Sequence, residues 1–222
     1  MSKIKLLYDV FKTMKDKEAF NGNIKIQAIE NEKKVFFLSN EFSTNKDTGA
    51  TKTKVTTEVD YEDNKLNHES TTEFNMKDHF HHKGGHGMWM HGKHHECANG
   101  GGMKNKLSHV TFMLGVLNKI KLEEDDDKTL LTLDLKEIIS ELKEMGQEFN
   151  DGGCDEMKED KHHHPAFVKE LMDMDASEAS LKVWINKSNE AEKVEILANG
   201  NKNDKLQNQI SASFNLLLNL AW

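Results

Sequence analysis

Residues 206–222 read LQNQISASFNLLLNLAW, and in them Leu206, Asn208, Ile210, Ala212, Phe214, Leu216, Leu218, Leu220 and Trp222 occupy every second position. A β-strand sends successive side chains to opposite faces, so this run builds one largely apolar row over seventeen residues. Slipping such a strand by one residue would turn the whole row to water. Its register is therefore held only inside a large sheet. Just upstream, Leu181, Val183 and Ile185 alternate, Asn186 to Asn189 turn, and Val194, Ile196 and Ala198 alternate again.

The first third of the chain has the same period of two. Ile24, Ile26 and Ala28 alternate with Lys25 and Gln27, and Asn31-Glu32 makes a turn. Phe36, Leu38 and Phe42 share a face, and Asn45 to Gly49 is a loop. Val55, Thr57, Val59 and Tyr61 then alternate with charged and polar residues. After Asp63-Asn64, the residues Leu66, His68, Ser70, Thr72, Phe74 and Met76 fall on one side. Four long strands with short turns predict an antiparallel meander. One of its faces is rich in Thr and Ser, so it either lines a cavity or is wet.

Helical spacing appears elsewhere. Ser2 reads as an N-cap, and Ile4, Leu7, Phe11 and Met14 predict a helix over 3–17, closed near Asn21-Gly22. Its stripe is expected to pack on the sheet, the alternative for such a stripe being a membrane surface. Leu107, Val110, Leu114 and Leu117 predict a helix over 104–119, with His109 an ordinary surface or packed histidine. Glu123 to Asp127 reads as a solvated acidic turn, since it lacks the glycine and spacing of a calcium loop. Thr129, Leu131, Leu133 and Leu135 alternate as a strand. Asp134 and Glu137 resemble a capping box ahead of Ile138, Ile139, Leu142, Met145 and Phe149, and Pro165 opens a helix carrying Phe167, Val168, Leu171 and Met172. The expectation is one α+β domain over residues 1–222: a large curved antiparallel β-sheet, a half-barrel, with helices packed on its concave face.

The order of these elements, and the segment LKVWINKSNEAEKVEI at 181–196 with its Val183-Trp184-Ile185-Asn186 strand, resembles the lipoprotein-carrier fold of the LolA and LppX type. That resemblance implies a half-barrel closing with helices around an apolar cavity. It does not imply lipoprotein carriage. Those carriers are exported and use an arginine in lipoprotein release. Here Met1 leads straight into the charged segment SKIKLLYDVFKTMKDK, no lipid-attachment cysteine stands near it, and all thirty basic residues are lysine. The expected location is cytoplasmic, where Cys97 and Cys154 stay thiols.

Composition narrows the function. A formal charge of −8 and the absence of the guanidinium fork argue against nucleic-acid binding. No run approaches the ~18 apolar residues of a membrane span. There is no H-E-x-x-H, no phosphate-cradling glycine loop and no G-x-S-x-G, so a non-enzymatic binding protein is expected.

The pointed chemistry lies in two inserts. Asp78 to Gly102, DHFHHKGGHGMWMHGKHHECANGGG, holds His79, His81, His82, His86, His91, His94, His95 and Cys97. The loop at 151–165 holds Cys154, His162, His163 and His164. Imidazole is the commonest transition-metal ligand, and thiolate adds affinity for zinc, nickel or copper(I). His91, His94 and Cys97 stand three apart and His82 and His86 four apart, spacings that a helical turn brings together. With so many histidines, spacing selects no one set. The first expectation is binding of a divalent transition metal, zinc foremost, with Met88-Trp89-Met90 as an apolar plug. Two other readings stand beside it: polar loops that bind metal only as an affinity tag does, and a pH response, because protonating twelve histidines would carry the charge from −8 to +4. From another class comes a carrier or sensor of an apolar small molecule or lipid between sheet and helices.

Overall fold

The computed structural model describes residues 2–61, 64–77, 111–125, 127–141, 174–203 and 208–222. They form a nine-stranded sheet. Helix α1 (Lys3–Asp16) precedes β1 (Ala19–Glu30), β2 (Lys33–Asn45), β3 (Ala50–Tyr61) and β4 (Asn64–Asn75). Residues 111–119 and 135–141 are helical, flanking β5 (Lys121–Glu124) and β6 (Lys128–Asp134). Strands β7 (Asp175–Asn186), β8 (Ala191–Asn203) and β9 (Gln209–Ala221) complete it. The order is β4-β3-β2-β1-β9-β8-β7-β6-β5, every neighbour antiparallel. Two meanders are thus joined by β1 against β9, and β4 and β5 are the outer strands of an open sheet.

Pairing fixes the faces. Ile24 faces Asn40 on one side and Leu218 on the other, Ile26 faces Leu38 and Leu216, and Leu216 faces Ile196. Leu181, Val183 and Ile185 follow on β7, and Leu131 and Leu133 on β6. Three buried clusters lie on this face. Met174, Ala179, Ala198, Ala212 and Phe214 form one; Leu6, Val10, Ile185 and Ala191 a second; Ile120, Leu131, Leu133 and Ile138 a third. Residues of α1 and of both helical segments belong to these clusters or pack against them. All helix packing in the clusters is therefore on one face, above β6–β9 and Ile26 of β1. Burying a side chain such as Ile185 contributes roughly 1.5–3 kcal/mol.

Several boundaries differ from the sequence reading. The buried stripe of α1 is Leu6, Val10 and Met14, with Leu7 beside the third cluster, whereas Ile4 and Phe11 are 63% and 66% exposed. Both series have helical spacing, and only the position of β7 chooses between them. Ser2 holds the N-cap position, but its hydroxyl caps nothing. The helix ends at Asp16 and β1 starts at Ala19, before Asn21-Gly22, because Phe20 is already paired with Thr44 and packs its ring on Phe42. Strand β5 was hidden inside the acidic run, its four residues being too few to show a period. Leu135 opens a helix instead of closing β6, since Asp134 Oδ1 accepts the Lys136 amide at 2.9 Å and caps it. The Asn31-Glu32 turn is as expected, with both residues left-handed (φ 47° and 66°) to match the strand twist. The segments around Leu107 and Pro165 lie outside the described residues.

A polar clamp at the β7–β8 turn ties the helix to the sheet. Asn186 Oδ1 accepts the amides of Ser188 and Glu190 at 2.9 and 3.0 Å. Its Nδ2 donates to Glu190 Oε2 at 2.8 Å and Glu192 Oε1 at 3.1 Å. Lys17, just past α1, pairs with Glu190, and Lys128 of β6 pairs with Glu192 at 2.7 Å. The Asn186 amide and then Lys17 hold Glu190 below the ordinary carboxylate value of 4.5, and Lys128 and Asn186 do the same for Glu192. A carboxylate depressed in the folded state stabilises it above the unfolded pKa, and that contribution vanishes as the pH falls through the folded one. Urea midpoints measured from about pH 6 down to about pH 3.5 are expected to fall more steeply for the wild type than for Glu190→Gln. Parallel curves would remove the clamp from the account of acid stability.

Candidate functional site: the charge-free half of the sheet

The helix-bearing face changes character across β1. On β1–β4 and β9 its positions from Phe20 through Phe74 to Leu220 carry formal charge only at one margin, where Glu30 stands opposite Ala212 and Lys33 at the end of the β1–β2 hairpin and pairs with Lys202 at 2.7 Å. His68 on β4 also lies on this face. The opposite face of the same strands carries Lys25, Glu41, Lys52, Lys54, Glu58, Glu69 and Glu73. There Lys52 meets Glu73 at 2.7 Å and Lys54 meets Glu69 at 2.8 Å, each lysine holding its exposed partner carboxyl below the usual range. Period-two alternation thus sorts the formal charges of β1–β4 away from the helix-bearing face, the hairpin end at Glu30 excepted.

That face is apolar yet incompletely covered. Ile24, Ile26, Phe36, Leu38, Phe42, Val55, Leu216, Leu218 and Leu220 are all half-buried. Among the described residues the three clusters reach β1 only through Ile26 and do not extend to β2–β4. The row closes at one end in an aromatic corner. Phe20 meets Phe42 edge-on with ring centres 6.0 Å apart and Trp222 at 5.9 Å. Trp222 Nε1 donates to the Ala191 carbonyl at 3.0 Å, which fixes the chain end. The Phe42 ring lies across Gly22, where a Cβ would stand 2.3 Å from Cζ. Beyond the corner, Thr44 and Thr51 are buried and share a 3.4 Å hydroxyl contact.

In the middle of the row stands Asn40. It faces Ile24 on β1 and Val55 on β3. Its Oδ1 is shut off from solvent and accepts no hydrogen bond among the described residues. An orphaned amide acceptor costs about 1–3 kcal/mol, so the site holds an unmet demand for one donor. A donor-bearing apolar molecule lying along Ile24, Leu38, Val55 and Leu218 would meet it. The sequence carried this signal unread: Asn40 interrupts the alternation of Phe36, Leu38 and Phe42.

The residues expected to bind metal, His79, His81, His82, His86, His91, His94, His95, Cys97, Cys154, His162, His163 and His164, all lie outside the described residues, as does His109. Among the described residues no group of three His, Cys, Asp or Glu side chains could hold a metal ion. The helices flanking the two inserts are nonetheless joined. Lys119, ending segment 111–119, pairs with Glu141 at 2.5 Å and Glu137 at 3.0 Å on segment 135–141. A separate cleft of about 950 Å3 between Lys3, Lys121, Glu124, Asp134 and Glu137 is ionic in lining and belongs to the helix end of the sheet. No described helix is long and apolar enough to cross a membrane. No protein-family model matches the chain, and no curated protein sequence matches it.

Gly22→Ala is expected to push the Phe42 ring aside. A destabilisation of about 1–3 kcal/mol and a shifted Trp222 environment should follow, read by urea unfolding and by near-ultraviolet circular dichroism. An unchanged aromatic spectrum would show that the corner tolerates the added methyl.

Proposed function

We propose that this protein is a non-enzymatic binding protein that holds an apolar small molecule or lipid against the charge-free half of its sheet. In this reading the sheet is curved as a half-barrel, and the helices stand on its concave side. The carrying observation is the pairing of a half-buried apolar row with the orphaned Asn40 Oδ1 at its centre. The hydrocarbon part of the ligand lies along Ile24, Leu38, Val55 and Leu218, and a hydroxyl or N–H of the ligand donates to Asn40. The helix-bearing face offers no charged partner there, so a neutral or weakly polar head group fits better than a phosphate. The resemblance read in the sequence to the lipoprotein-carrier fold implies an apolar ligand of the same kind.

The test is titration of a lipid-stripped sample with a long-chain alcohol and with the matching alkane, read by Trp fluorescence and by displacement of an apolar dye. The alcohol should bind in the micromolar range or tighter. Leu38→Lys should abolish binding. Asn40→Leu should stabilise the unliganded fold by about 1 kcal/mol while weakening the alcohol, not the alkane, by about fivefold. Failure of both ligands to displace the dye would sink the reading.

A second reading has its own support. Segments 111–119 and 135–141, the described helices that follow the first His-bearing stretch and precede the second in the chain, are bridged by Lys119, which supports one divalent transition-metal ion, zinc foremost, drawing ligands from both stretches. Calorimetric titration of tag-free protein with zinc should give tight binding that is lost on deleting residues 79–97. Binding no tighter than micromolar would remove this reading.

A further inference from the structure

Seven large hydrophobic side chains stand exposed among the described residues, and five of them are on two helices. Ile4, Tyr8 and Phe11 of α1 are 63%, 62% and 66% exposed, and Met113 and Leu114 of segment 111–119 are 63% and 52% exposed. The helices are neighbours. Leu7 shares the third cluster with Phe112, Val116 and Leu117, and Lys3 Nζ donates to the Asn118 carbonyl at 3.0 Å. At 3.6 residues per turn, Ile4, Tyr8 and Phe11 form one stripe, running beside the buried Leu6–Val10–Met14 stripe. Neither helix needs these five for its packing on the sheet.

We infer that this two-helix surface docks on an anionic lipid bilayer. Charge decides the occupant. Lys5, Lys12 and Lys15 are exposed beside or within the α1 stripe, while Asp9 and Asp16 lie further round the helix. An apolar stripe with aromatic rings and a lysine border is the pattern of a helix lying in the interface of an acidic membrane. Two copies of the same surface would instead oppose lysine to lysine. The chain as a whole is acidic, at −8, so an anionic surface repels most of the molecule and favours contact through this basic rim. The docking stands independently of the ligand site, because no residue of the stripe belongs to the charge-free face.

The full chain is to be floated with vesicles of phosphatidylcholine alone and with about 30% phosphatidylserine added. Binding is expected to the second only, and to fall as salt rises. Tyr8→Ser with Phe11→Ser should weaken it by about tenfold. Lys5→Gln, Lys12→Gln and Lys15→Gln together should flatten its salt dependence. Leu38→Lys, which removes the ligand face, should leave it unchanged. All substituted stripe residues are exposed, and circular dichroism checks that each variant folds. Equal binding to neutral vesicles, no binding to either, or binding indifferent to the Tyr8 and Phe11 changes would each overturn the inference. Self-association relieved by those same changes, without vesicle binding, would assign the surface to a second copy and overturn it as well.

Discussion

The pairing of β1 with β9 is the contact on which the remaining architecture rests. Ten residues of β1, Asn21 to Glu30, face ten of β9, Ala221 to Ala212. Asn31 extends the join, its amide donating to the Ser211 carbonyl at 3.0 Å while its Oδ1 accepts the Ser211 amide at 3.1 Å. Without it the chain is two separate meanders, each with an unsatisfied edge. With it, every inward position of β1–β4 lands on the face that bears the helices. The register has only one acceptable parity. Moving β9 by one residue would swap Phe214, Leu216 and Leu218 for Ser213, Asn215 and Leu217. Such a contact between chain ends has a large loop-closure cost, so it is expected to form late and to commit the fold when it does.

The same pairing explains why the helix-bearing face is uneven. Above β6–β9 the clusters contain Met174, Ile185, Leu131 and Leu133, each at most 5% exposed. Above β1–β4 the row is made of Ile, Leu, Phe and Val diluted with Thr, Ser and Asn, and it is only half-buried. A face destined for a helix gains from full hydrophobicity; a face destined for water gains from charge. Away from Glu30 at its margin, this half has neither. A charge-free surface with scattered hydroxyls suits a partner that is apolar along most of its length and exchanges with water, which is the physical ground for reading it as a ligand surface.

Much of this was legible in the period of the sequence. Alternation located β1–β4 and β7–β9, and the Asn31-Glu32, Asn45–Gly49 and Asn186–Asn189 turns stand where turn chemistry puts them. What alternation could not decide were choices between equal patterns. In helix α1 the expected stripe of Ile4, Leu7, Phe11 and Met14 and the buried one of Leu6, Val10 and Met14 with Leu7 beside it both have helical spacing, and contact with Ile185 and Ala191 selects the second. The four residues of β5 are recognised as a strand by their pairing with β6, from Lys121 with Thr132 to Glu124 with Thr129, and not by composition. The histidine clusters stand out by composition and by spacings that select no one set, whereas Asn40 is placed by register, as a break in the apolar alternation of Phe36, Leu38 and Phe42 on β2.

Asn40 is the point at which stability and function part. It sits between Ile24 and Val55, where a leucine would continue the row, and its buried acceptor has no donor among the described residues. Other polar side chains on that face have a simpler account: Thr44 and Thr51 contact each other, Thr53, Thr57 and Ser70 are half-buried, and His68 and Thr72 are exposed. An unpaired buried acceptor is a cost to the fold, and the proposed ligand is one way of offsetting it. A donor from outside therefore reaches the acceptor only by displacing the side chains that now cover it. The backbone on either flank of Asn40 is already committed, through β2, to β1 and β3.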